Sequence, residues 1–297
     1  EVPVISINKR IFIQLFMAMC IPLIASAGTV KDMYKKSAGG TYIAPSKKDV
    51  EKAKLLFSKV LRGDEDKNLA AEWHRLGFEL SRIRERDETF IVVREHSKKG
   101  GGFYLFRNGE GKSVAIQAPH RFYDERTGVI VRKLMLEGQF RAAAWNTVGR
   151  YEDKEHKTKR ADMSHQERSF FQAFTLAFSE VFPEGNIVQF HGFSQSKRSS
   201  HAGRTSDIII SSGSRSSSQA AMDIWERLKA QEIGVVRLFP HEVSELGATQ
   251  NSNARALRQK GFHGFIHVEM SKHLRVRLSR EKALRRDLYH SLVGETP

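Results

Sequence analysis

The sequence predicts an α/β fold: a three-layer α/β/α arrangement with a mostly parallel, mixed central sheet, preceded by a short helical N-terminal region. Three observations predict it. Short β-rich runs separated by Gly, Lys and Asn begin near residue 88. From about residue 140, strand-like and helix-like segments alternate to the end, the pattern of a sheet covered by helices on both faces. The 297 residues are 40% hydrophobic and 28% charged, which fits a globular chain rather than a disordered one.

The elements follow in order. "INKRIFIQLFMAMCIPLIASAGTV" places Lys9 and Arg10 before an apolar run from Ile11 to Ile24, then Ala25-Ser26-Ala27. A basic stretch, an apolar stretch and a small-x-small site are the parts of a secretory signal peptide. The apolar run is shorter than the ~20 residues a spanning helix needs. Residues 1–27 are therefore expected to be a cleaved signal, with the mature chain starting near Gly28, periplasmic or secreted and without stable membrane insertion. The sequence does not open on Met, so it is expected to lack the start of the translated product. Cys20 is the only cysteine and lies inside this run. The mature chain is then expected to use no disulfide, no thiolate ligand and no Cys nucleophile.

Residues 28–46, rich in Gly, Ser and Lys, read as a flexible lead-in. "KKDVEKAKLLFSKVL" puts Val50, Ala53, Leu56 and Val60 on one helical stripe. "NLAAEWHRLGFELSRI" does the same with Leu69, Trp73, Leu76, Leu80 and Ile83. Linker and helices together make a region 28–87, either a small subdomain or a flank of the main domain, 88–297. "TFIVVRE", "GFYLFR" and "SVAIQA" are strands, with "KKGGG" a turn. "FRAAAWN" is a strand, and "SHQERSFFQAFTLAFSEVF" a helix with Ser164 as N-cap and Glu167 at capping-box spacing. "NIVQFHG" and "SDIIIS" are strands, and the Ser-rich loop 211–219 leads into the helix "SSSQAAMDIWERLKAQ". "GVVRLF", "NARALRQKG", "FHGFIHVEM" and "REKALRRDLYHSL" complete the alternation as strand, helix, strand and helix.

The formal net charge is +15. Such a balance suits nucleic acid, an anionic membrane or an acidic polymer such as the cell wall. The expected export disfavours nucleic acid and favours an envelope polymer. "GEGK" at 109–112 lacks the full Gly-rich phosphate-loop pattern.

Sites in open α/β sheets form at the carboxyl ends of strands. Three strand ends here carry polar groups: His120 after "SVAIQA", His191 after "NIVQF", and Glu269 inside "FIHVEMS". Together they describe a centre for one zinc ion, which in catalytic sites takes three protein ligands and leaves a position open. His120 and a carboxylate four or five positions on, Asp124 or Glu125, can close on one ion through a short loop, with His191 as third ligand. Glu269, flanked by Val268 and Met270, is then a candidate general base with a raised pKa. His267 shares its face of the strand, and Asp207 is a candidate to orient a ligand histidine. His156, His165, His201 and His241 read as solvated or structural.

The stretches "PHRFYDERTG", "FHGFSQ" and "FIHVEMS", in this order, resemble the zinc carboxypeptidase superfamily, with the poly-γ-glutamate hydrolases and succinylglutamate desuccinylase-like amidohydrolases among its relatives. The resemblance covers roughly 113–290 and implies a phosphorylase/hydrolase-like fold, one zinc ion and hydrolysis of an amide bond in a peptide or peptidoglycan stem. His120 to Glu125 matches the longer His-to-Glu loop of the poly-γ-glutamate hydrolases, whereas Asp124 to Thr127 matches their Glu-to-Thr spacing, so both carboxylates stay candidates. The family's Asn-Arg pair, which binds the substrate carboxylate, has no adjacent counterpart; Asn146 and Arg150 stand nearest, with Arg255 and Arg275 as rivals. A guanidinium suits that role because its planar fork grips a carboxylate with two hydrogen bonds. Zinc-dependent cell-wall amidases offer another pattern, with a Glu in the following helix, here Glu137. The non-enzymatic alternative is a basic envelope-binding protein using "KHLRVRLSREKALRR" at 272–286.

Overall fold

The computed structural model describes residues 28–64, 66–151 and 160–295. The expected signal segment and His156 lie outside these residues. Helices α1 (Val30–Lys36), α2 (Lys47–Arg62) and α3 (Leu69–Arg75) precede strands β1 (Phe78–Glu85), β2 (Glu88–Glu95), β3 (Phe103–Arg107) and β4 (Lys112–Ala118). The chain continues through α4 (Thr127–Glu137), β5 (Phe140–Trp145), α5 (Phe170–Val181), β6 (Asn186–Gly192), α6 (His201–Thr205) and β7 (Ile208–Ser211). It ends with α7 (Gln219–Ala230), β8 (Val236–Leu238), α8 (Ser252–Gln259), β9 (Phe265–Met270), α9 (Lys272–Arg280) and α10 (Lys282–Val293). Among the described residues no helix is long and apolar enough to cross a membrane.

The strands form one mixed sheet in the order β1-β2-β3-β5-β4-β6-β9-β7-β8. Its centre, β5, β4, β6 and β9, is parallel. An antiparallel meander, β1 to β3, extends one side, and β7 pairs antiparallel with β9 on the other. Helices cover both faces, so the three-layer α/β/α arrangement read from the alternation is the fold. Apolar residues of α2, α3, α5 and α8 pack on one face and those of α1, α4, α7, α9 and α10 on the other.

Register explains where the site lies. Ala115, Ile187 and Phe265 are neighbours across β4, β6 and β9 and pack beneath α5 and α8. Two residues further along come Gln117, Gln189 and His267, and two beyond those come His191 and Glu269. Alternate residues share a face of a strand. One face therefore runs from apolar, through amide and imidazole, to His and Glu at the carboxyl ends. The opposite face of the same strands stays apolar, with Val188, Phe190, Ile266 and Val268.

Residues 28–87 build these layers. Phe57 of α2 is fully buried, with its ring 4.7 Å from Trp73, 4.6 Å from Tyr104 and 5.5 Å from Phe174. Burying such a ring contributes roughly 1.5–3 kcal/mol, which ties α2 to the sheet. Three readings need correction. The lead-in at 28–46 contains α1, held by a reciprocal Thr29/Asp32 capping box and by burial of Val30 and Met33. "NLAAEWHRLGFELSRI" is not one helix: Gly77, at φ +85°, breaks the spiral after α3. The remainder is β1, with Leu80 and Ile83 on opposite faces of the sheet. The helix at 164–182 starts late, because Ser169 and not Ser164 caps it, accepting from Gln172 N–H at 3.0 Å. Ser164 sits in the preceding loop, where its carbonyl accepts from Ser252 N–H at 2.8 Å.

Candidate metal centre

The centre begins where β4 ends. The carbonyl of His120 accepts from the N–H groups of Tyr123 (2.9 Å) and Asp124 (2.8 Å), a tight turn that brings Asp124 back beside His120. Thr127 Oγ1 donates to the Asp124 carbonyl at 2.7 Å as α4 starts. Asp124 is thus buried, whereas Glu125 is exposed at the cavity rim. Arg275 of α9 clips this turn to the sheet. Its Nε donates to the Glu125 carbonyl at 2.9 Å and its Nη1 to the carbonyls of Phe193 and Met270. Gly192 is required beside it, because a Cβ there would collide with the guanidinium.

His120 Nδ1 lies 3.4 Å and His191 Nδ1 3.2 Å from the same atom, Asp124 Oδ2. The two rings are 4.9 Å apart and edge-on. The three residues present ligand atoms within 4.8 Å of one another, as does an overlapping group of His191, His267 and Glu269. His267 stacks 4.4 Å from His191, and its Nε2 is 3.7 Å from Glu269 Oε1. Among the described residues, His120 Nδ1, His267 Nδ1 and Glu269 Oε2 are buried with no hydrogen-bond partner.

The donor set fits a metal. His120 Nε2 is 2.7 Å from Asp162 Oδ1. An ionised carboxylate only accepts, so Nε2 carries a proton, and in its neutral form His120 turns a bare Nδ1 toward Asp124. A lone pair facing a carboxylate oxygen needs a proton or a cation between them. Two imidazoles and one carboxylate, with no thiolate, are a donor set that could hold a metal ion. They form the floor of a cavity of about 750 Å³, whose wall includes Glu269.

Electrostatics follow from burial. Burial would raise Asp124 and Asp162, but their histidine partners outweigh it and hold both far below the usual carboxylate range. Burial lowers His120, yet Asp124 and Asp162 outweigh it and leave its pKa raised. Burial prevails at His191, which is lowered despite Asp124. Burial, then the neighbouring His191, keeps His267 well below its ordinary value. Burial, with the charge of Asp124 added, pushes Glu269 up to about 8.

The proposed carboxylate binders separate. Asn146 is buried and spent on backbone, donating to the Ala161 carbonyl (3.0 Å) and accepting from Val148 N–H (3.2 Å). Arg150 lines the cavity, with Nε 2.8 Å from Asp162 Oδ2. Arg275 lines it too, with Nε and Nη1 engaged as described. Arg255 is outside the cavity lining, in an exposed ion pair with Glu167. Glu137 is not brought to the cluster: a fork of two hydrogen bonds, 2.7 and 2.9 Å, ties it to Arg285. Among the described residues Asp207 orients no histidine; it accepts from Ser271 Oγ (3.0 Å) and Val235 N–H (3.1 Å). His165, half-exposed, points Nδ1 at Asp162 Oδ2 from 3.1 Å.

Asp162 is the residue that sequence reasoning missed. Its partner His120 is 42 positions away, and its aperiodic loop offers no signal. Buried carboxylates that hold a ligand imidazole fix its tautomer and strengthen it as a donor. Asp162→Asn is expected to weaken zinc binding about 10–100-fold, read by competition with a chelator. Unchanged affinity would remove that role from Asp162.

No protein-family model matches the chain, and no curated protein matches it at a significant level. Among solved structures, gene product Atu2144 from Agrobacterium tumefaciens is similar over 61% of this chain and 86% of its own, with 12% identity and a TM-score of 0.40. An aspartoacylase family protein from Mesorhizobium loti is similar over 73% of this chain and 65% of its own, with 14% identity and a TM-score of 0.35. At values this low, neither likeness says what this chain does.

Proposed function

We propose that the protein is a zinc-dependent hydrolase of amide bonds, acting on peptides or peptidoglycan stems that carry a free carboxylate. The observation that carries this reading is the convergence of His120 Nδ1, His191 Nδ1 and Asp124 Oδ2 in a cavity that also holds the buried carboxyl of Glu269, whose Oε2 has no hydrogen-bond partner among the described residues. His120, Asp124 and His191 would hold the ion. Zinc in such a set supplies two things, acidification of a water toward pKa ~7 and polarisation of a carbonyl oxygen. Glu269 accepts the proton of the attacking water and returns it to the leaving amine. Its burial suits that exchange, because a carboxyl titrating near the working pH serves as both base and acid. Arg150, Lys197, Arg198 and Lys272 line the same cavity and favour an anionic substrate.

The N-terminal pattern and the +15 charge support an exported protein that meets an anionic envelope polymer. Purified protein is expected to hold about one zinc per chain and to shorten peptidoglycan stem peptides, read by mass spectrometry of the fragments. Zinc-loaded protein that leaves every amide intact would overturn the catalytic reading and leave the envelope-binding one.

A further inference from the structure

His191 has a second ring nitrogen, and what holds it lies in the row of polar residues beneath the centre. His191 Nε2 is 3.5 Å from Gln189 Oε1 on the same strand. That oxygen also accepts from Asn251 Nδ2 at 2.9 Å. Gln189 Nε2 donates to Gln117 Oε1 at 2.8 Å, and Gln117 Nε2 donates to Thr175 Oγ1 at 2.9 Å. Gln117, Gln189, Thr175 and Asn251 are all at most 3% exposed.

The direction of this chain is favoured at the Thr175 end, where Thr175 Oγ1 donates to the Phe171 carbonyl at 2.9 Å and so accepts from Gln117, and it is set at the other end. Asn251 caps α8, and its Oδ1 accepts from the backbone N–H groups of Asn253 (3.0 Å) and Ala254 (3.1 Å). An N-cap must offer oxygen to those donors. The Asn251 amide therefore turns its NH2 toward Gln189, which must answer with Oε1. Gln189 then points its own NH2 at Gln117, and Gln117 points its NH2 at Thr175. Oε1 of Gln189 has a second lone pair for His191 Nε2–H.

We propose that Asn251, acting through Gln189, is a positioning residue that keeps the His191 proton on Nε2 and so frees Nδ1 for the metal. The inference rests on the zinc reading for its purpose but not for its proton. It gives the two histidines different outer partners, a carboxylate for His120 and a neutral amide chain for His191. The buried amides cross the sheet beneath the centre because only an unbroken chain leaves no polar group without a partner.

Asn251→Asp tests it. The carboxylate still caps α8 but has no N–H to give Gln189. Gln189 must then turn over and offer NH2, and Gln117 turns with it to accept from the Thr175 hydroxyl, which leaves the Phe171 carbonyl. The NH2 of Gln189 now faces His191 Nε2, which must be bare. The ring proton moves to Nδ1, where it bonds to Asp124 in the place of the ion. The readout is 15N NMR of histidine-labelled protein at pH 8, where a helix-capping carboxylate is ionised. In the wild type His191 Nε2 is expected to carry a proton with and without zinc. In Asn251→Asp it is expected to lose that proton, and zinc affinity to fall about 10–100-fold.

If the buried charge unfolds that variant, Asn251→Ser serves, since Ser also caps but gives Gln189 no amide N–H, so that only the Thr175 bond to Phe171 still biases the chain. It is expected to give a mixture of the two protonation sites. A merely structural Asn251 moves neither readout, because Asp and Ser both cap. Nε2 protonated as in the wild type in the folded variant overturns the proposal. A proton that shifts in a protein holding no zinc upholds the proposal and sinks the zinc reading. Zinc that binds while the proton stays does the reverse.

Discussion

Replacing His120 or His191 by Ala is expected to bring zinc content from about one ion per chain to background. Each change removes one of three donors and leaves two, and His191 is also the residue shared with the overlapping group of His267 and Glu269. His191 is anchored on β6 and His120 on the turn after β4, so neither site can close up around the ion. The loss should exceed the ~100-fold that removing an outer partner costs. Elemental analysis after dialysis against a weak chelator reads it directly. Asp124→Asn is expected to lose zinc as well, whereas Glu125→Gln keeps it, because Glu125 is exposed at the rim. Wild-type protein with background metal would sink the centre altogether. Stoichiometric zinc in both Ala variants would move it elsewhere in the chain.

Much of this geometry is legible in the amino-acid sequence. The alternation of apolar and polar residues in "NIVQFHG" and "FIHVEM" puts His191 and Glu269 on one face near strand ends, and register places them side by side. What is not legible depends on contacts that carry no period. Asp162 meets His120 across 42 positions. Gln117, Gln189 and Asn251 join into a chain only once β4, β6 and the start of α8 are neighbours. The choice between Asp124 and Glu125 turns on which amide bonds back to the His120 carbonyl, a property of the turn and not of spacing. Leu80 and Ile83 imitate a continuation of the α3 stripe that ends at its C-cap Leu76, because a spacing of three also occurs by chance within a strand. A single glycine with positive φ, Gly77, decides otherwise.

Glu269→Gln is expected to keep zinc and lose turnover, with kcat falling about 10²–10⁴-fold, the span a positioned general acid–base group contributes. The substitution is unusually clean here. Burial raises this carboxyl to about 8, so near neutral pH and without metal it is largely uncharged. A glutamine of the same shape should therefore leave the melting temperature close to that of the parent. A dication in the centre would favour the ionised form and draw that pKa down, which is when the residue becomes a base. The sign follows: only the deprotonated form accepts a proton, so kcat/KM should rise with pH through this ionisation, and the Gln variant should lose that limb. Turnover equal to the parent's would remove Glu269 from the chemistry. Loss of zinc together with turnover would mean something else. It would make Glu269 a ligand of the overlapping group with His191 and His267, and the proton acceptor would have to be sought among the other groups lining the cavity.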